Sequence, residues 1–113
     1  MHVCSDARLQ KLDALCAALR ALVTVNRVLE RGLFQDAVVP LEDAVAELRR
    51  KRDARRLVIG DAALAVSSKS RVILAGVAAV PDLRSDSVTH VRDTTHAIMS
   101  TALDIAAACV YTG

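Results

Sequence analysis

Residues 89–109, THVRDTTHAIMSTALDIAAAC, pass from polar to apolar and carry two of the three histidines in the chain. The stretch poses a choice between an active site centred on His96 and a helix that enters a core. Val91, Thr95, Ile98, Ala102, Ile105 and Cys109 recur at alternating steps of four and three, the period of one helix face. Nothing in the stretch alternates with the period of two that a strand requires. The spacing predicts an amphipathic helix capped by Asp86 or Ser87, with Val88 at the head of its stripe. His96 falls beside that stripe, at the boundary where the helix turns into the core.

The same rhythm extends upstream. The stretch 81–87, PDLRSDS, reads as a loop because Pro, Asp and Ser favour turns. Before it, Ile59, Ala63, Val66, Ser70, Ile73, Val77 and Val80 fall in register. Gly60 and Asp61 read as a helix stop followed by a new N-cap, with one bent helix as the alternative. A second segment carries Val38, Leu41, Val45 and Leu48, with Pro40 placed in its first turn and Glu42 and Asp43 near its N-terminus. A first segment begins at Ser5 and Asp6, carries Leu9, Leu12, Cys16, Leu19 and Val23, and ends near Gly32. Leu15, Leu22 and Leu29 form a second stripe beside it, giving that segment an apolar face wider than one neighbour covers.

Four amphipathic segments joined by short connections predict an all-α fold, a single domain over residues 1–113 built as an antiparallel helical bundle. Their seven-residue spacings favour shallow, coiled-coil-like packing. Asn26, Ser70 and Thr95 fall on or beside the seams, where polar residues often set register or oligomeric state.

Composition limits the function classes. The chain is 53% hydrophobic but only 2% aromatic, so Ala, Leu and Val supply the apolar surface. A mean hydropathy of +0.33 in 113 residues implies more apolar surface than one small bundle hides. Three cysteines without C-x-x-C spacing suit neither a disulfide scaffold nor a zinc site, and point to a reduced, intracellular, cytoplasmic setting. The N-terminal MHVCSDARLQK lacks the order of a secretory signal, and the longest uninterrupted apolar run stops near ten residues, short of a membrane span.

Catalytic groupings are sparse. His90 and His96 lie six residues apart, about 240° round a helix, so they do not share a metal-binding face, and no E-x-x-H occurs. No metal or other cofactor is implied. Cys16 and Cys109 sit on apolar faces where a thiol stays protonated. The string HAIMSTALDIAA (96–107) loosely resembles the phospho-accepting helix of histidine phosphotransfer bundles, with Met99 where those carry lysine. RSDSVTH (84–90) is similar to the Arg…His pair of HEPN-type ribonucleases, with Ser85 after Arg84 in place of the usual polar companion. These resemblances would make His96 a phosphate acceptor or His90 an acid–base residue. Each covers a handful of residues.

The densest local signal is RRKRDARR, in which Arg49, Arg50, Lys51, Arg52, Arg55 and Arg56 surround one acid. It fits a solvated helix end, an acidic protein partner or phosphate backbone. The absence of interleaved aromatics disfavours single-strand recognition.

The composite expectation is a non-enzymatic assembly module that self-associates or joins a larger complex through Leu-, Val- and Ala-rich helix faces. Leu15, Leu22 and Leu29 are the expected interface. A nucleic-acid binder using the basic run is the first alternative, and a small ribonuclease or phosphotransfer protein centred on His90 or His96 the second.

Overall fold

A computed structural model of the chain describes residues 5–25, 34–79 and 86–111. They form α1 (Asp6–Val25), α2 (Phe34–Arg50), α3 (Arg56–Ala79) and α4 (Asp86–Tyr111), with no strand among the described residues. The all-α bundle expected from the sequence is the observed architecture.

Each helix forms where its apolar stripe is continuous, and each stripe is buried. Leu9, Leu12, Cys16, Leu19 and Val23 of α1, and Val38, Leu41, Val45 and Leu48 of α2, belong to one core. So do Ile59, Ala63, Val66, Ile73 and Val77 of α3, with Val88, Val91, Ile98, Ala102 and Ile105 of α4. At the start of α1, the amide of Arg8 donates to Ser5 Oγ at 3.3 Å and the amide of Leu9 to the Ser5 carbonyl at 3.1 Å. Ser5 is therefore the N-cap, and Asp6 places its charge in the first turn.

The helices form a four-membered ring. α1 lies against α2 and α4, and α3 against α2 and α4, while the diagonal pairs do not meet. Neighbours run antiparallel: Arg20 and Arg49 pair with Glu42 and Asp13 across α1 and α2, and Gly60 faces Cys109 across α3 and α4. The result is an elongated bundle measuring 46 × 19 × 19 Å.

Two boundaries differ from those the sequence predicts. α2 starts at Phe34, so Pro40 stands inside the helix and not in its first turn. A proline there leaves the carbonyl four residues back without its amide partner. Burial of Val38 and Leu41 on either side of it holds the helix through that gap. The break between α2 and α3 falls at residues 51–55, and Gly60 and Asp61 lie within α3. α2 frays through tightening turns, with the Lys51 amide shared between the carbonyls of Glu47 and Leu48 and the Ala54 amide bonded to Lys51 at 3.0 Å. Gly60 is not a stop. Its missing side chain lies where α4 approaches.

Ser70 and Thr95 are fully buried as their seam positions predict, and neither hydroxyl reaches another helix. Ser70 donates to the Val66 carbonyl at 2.9 Å, Thr95 to Val91 at 2.7 Å and Thr101 to Ala97 at 2.8 Å. Each bond stays within one helix, so these residues supply no polar tie between helices. No buried side-chain nitrogen or oxygen among the described residues lacks a partner. Asn26 lies outside the described residues.

The stretch Arg56–Ala79 also qualifies the expectation drawn from uninterrupted apolar runs. By length and composition α3 is sufficient to cross a membrane, with a window of mean hydropathy 1.4 of which 33% is buried. Its inward side is a core face, while Leu57, Leu64 and Val72 on its outer side stand exposed.

Candidate functional site

The basic run is largely engaged by acids of the bundle itself. It begins in the last turn of α2, where cations complement the helix dipole, and continues into the turn before α3. Arg49 pairs with Asp13 of α1, Arg50 with Glu47, Lys51 with Glu47 at 3.5 Å, and Arg52 with Asp6 of α1 at 3.4 Å. Hydrogen bonding from Arg50, aided by Lys51, holds the Glu47 carboxyl below its ordinary range. Further along the same seam, Arg20 forks onto Glu42, with Nε to Oε2 at 2.8 Å. The run therefore tethers the end of α2 to the start of α1, leaving Arg55 and Arg56 with no ion pair among the described residues.

Among the described residues, neither His90 nor His96 belongs to a cluster of metal-ligating side chains. His90 and His96 are both exposed on α4, so His96 lies outside the core boundary that its sequence position predicts. Arg84 lies outside the described residues. No cluster of His, Cys, Asp or Glu among the described residues has the arrangement of a metal site. Cys16 is buried, and burial together with the nearby Glu42 pushes its thiol up to about 11. Burial also raises the partly exposed Cys109, against an opposing effect from Arg56.

The second stripe of α1 turns inward. Leu15 and Leu22 are half-buried against the bundle's own core, and Leu22 shares a shallow groove with His90, Asp93 and Thr94 of α4. The width of the α1 apolar face thus matches a helix with two neighbours in the ring. Leu29 lies outside the described residues.

Large exposed hydrophobic residues gather elsewhere. Leu57 is 77% exposed, Leu64 51%, Leu103 36% and Val110 75%. A β-carbon on Gly60 would touch Cys109, so that side of α3 faces α4. Leu57 and Leu64 lie about 60° and 40° further round α3 from Gly60, toward solvent. On α4, His90, Asp93 and Thr94 border α1, and Leu103 and Val110 lie on the opposite flank, next to α3. With Gly60 level with Cys109 and the helices antiparallel, Leu57 comes level with the end of α4 beyond Val110, and Leu64 comes close to the level of Leu103. The four residues thus lie along the outer α3–α4 seam, with exposed Asp61 between Leu57 and Leu64. Residues 57 and 64, and 103 and 110, each stand seven apart, a signal present in the sequence but masked by the charged and small residues between them.

The bundle is consequently two-sided. Most ion pairs lie on the α1–α2 side, and most exposed large hydrophobics on α3 and α4. A smaller apolar hollow of about 340 Å³, between Pro40 of α2 and Val72 of α3, is rimmed by Asp36 and Lys69. In comparisons with known proteins, the chain matches no family profile, no curated protein and no solved structure.

Proposed function

We propose that the protein is a non-enzymatic helical assembly module whose working surface is the outer face of α3 and α4. The observation that carries this reading is the exposure of Leu57, Leu64, Leu103 and Val110 on one side of the bundle. Large hydrophobic side chains gathered on one face and left in water are the usual mark of an interaction surface. Covering a Leu or Val removes about 1.5–3 kcal/mol of unfavourable hydration per fully buried side chain, before association entropy is counted. The ion-paired α1–α2 side would stay solvated and keep such assembly from continuing indefinitely. The internal pairing of Arg49, Arg50, Lys51 and Arg52 favours this reading over nucleic-acid binding, because four of the six cations already face carboxylates.

The test is mass by light scattering after gel filtration at low and high salt, with absorbance at 260 and 280 nm, for the wild type, Leu64→Glu and Leu103→Glu. Assembly through this face predicts a defined oligomer that persists in high salt and that either substitution dissociates. An excess at 260 nm that salt removes would move the functional site to the basic run. A monomer that floats with phosphatidylcholine vesicles would assign the face to a lipid surface.

A further inference from the structure

The outer face of α3 carries more than hydrophobic residues. Leu57, Asp61, Leu64, Ser68, Arg71 and Ala75 are all exposed and recur at steps of four, three, four, three and four, the spacing of a coiled-coil seam. Asp61 and Arg71 stand on this seam with no ion pair among the described residues. Ten residues apart on one helix, they are separated by about 15 Å and cannot reach each other within a single chain.

We propose that this seam pairs with itself in a second copy of the chain, antiparallel, about a two-fold axis level with Val66. The proposal rests on the assembly reading above and specifies its partner and register. Centred on residue 66, the pairing sets Asp61 against the partner's Arg71, Leu64 against the partner's Ser68, and Leu57 against the partner's Ala75. Two-fold symmetry repeats each match, so the interface contains two complementary charge pairs and places no like charges opposite each other. Every leucine meets a small residue, which lets the helices approach closely. The register of Gly60 against Cys109 sets Leu103 of α4 level with Val66, so Leu103 from each copy flanks the axis. Slipping the pairing by a heptad would separate Asp61 from the partner's Arg71, setting Asp61 against the partner's Leu64 in one direction and Arg71 against the partner's Ser68 in the other, and either slip leaves the charges without an opposite partner.

The experiment compares wild type, D61R, R71D and the double variant D61R/R71D by light scattering across a concentration series at low salt. Circular dichroism checks that each variant keeps the helical content of the wild type. The wild type is expected to dimerise, and each single variant to weaken the dimer at least about tenfold by opposing like charges across the interface. The double variant should restore it. D61R and R71D mixed one to one should also form a heterodimer, since every cross-pair between them is again of opposite sign. A wild-type oligomer unaffected by either single variant would overturn this register while leaving the assembly reading in place. A wild type that stays monomeric throughout would overturn self-pairing itself.

Discussion

Gly60 of α3 stands against Cys109 of α4, so that a β-carbon on the glycine would lie 3.5 Å from the cysteine Cβ and 3.9 Å from its sulfur. That is ordinary contact distance, neither a clash nor a void. Glycine inside a helix costs stability through backbone freedom, and here the added methyl would fit. Gly60→Ala is expected to raise unfolding stability by about 0.5–1 kcal/mol, read as a higher midpoint in urea with unchanged slope. A loss of stability would mean that α3 and α4 approach more closely than this geometry.

Leu22 and Leu64 separate folding from association. Leu22 is half-buried beside α4, so Leu22→Glu forces a carboxylate against the core and should cost about 1–3 kcal/mol of stability. Leu64 is exposed, so Leu64→Glu should change monomer stability by no more than about 0.5 kcal/mol while abolishing assembly. Denaturation of dilute protein, where the monomer dominates, measures both. The reverse pattern would return the interface to the second stripe of α1.

The core thiol offers a probe of opening. Cys16 is 7% exposed and raised to about 11, so at pH 8 it is both covered and protonated. In a Cys4→Ser background, Ellman's reagent should label Cys109 first and Cys16 only at the rate of bundle opening. Mild denaturant should accelerate the second phase much more than the first. Equal rates would show that the α1–α2 seam opens freely.

Glu47 gives the acid side of the stability profile. Its folded carboxyl lies below the ordinary value, chiefly through the hydrogen bond from Arg50. The stabilisation is therefore complete above the unfolded value, about 4.3, and is lost as pH falls through the lower folded value. The stability difference between wild type and Glu47→Gln should be constant from pH 8 to 6 and should shrink below about pH 4. High salt should reduce the difference at neutral pH, because both partners face solvent.

The core was legible in the sequence because burial imposes a period. Val38, Leu41, Val45 and Leu48 announce their face by spacing alone, and all four are buried. Helix ends were less legible. Glycine and proline mark what the backbone permits locally, yet Pro40 and Gly60 both sit inside helices because buried neighbours outweigh the local preference. The partners of the basic run could not be read, since Asp6 and Asp13 belong to another helix and meet Arg52 and Arg49 only after folding. Leu57 and Leu64 stayed hidden for a different reason. Asp61, Ser68 and Arg71 make their face resemble a solvated one.

The ring arrangement of the helices has a kinetic consequence. Three of its four interfaces join helices adjacent along the chain, and only the α1–α4 interface brings the two ends together. The loop-closure entropy of three interfaces is thus small, and one closing step carries most of the remainder. Such a chain should collapse hairpin by hairpin within milliseconds, with substitutions between α1 and α4 accelerating unfolding far more than they slow folding.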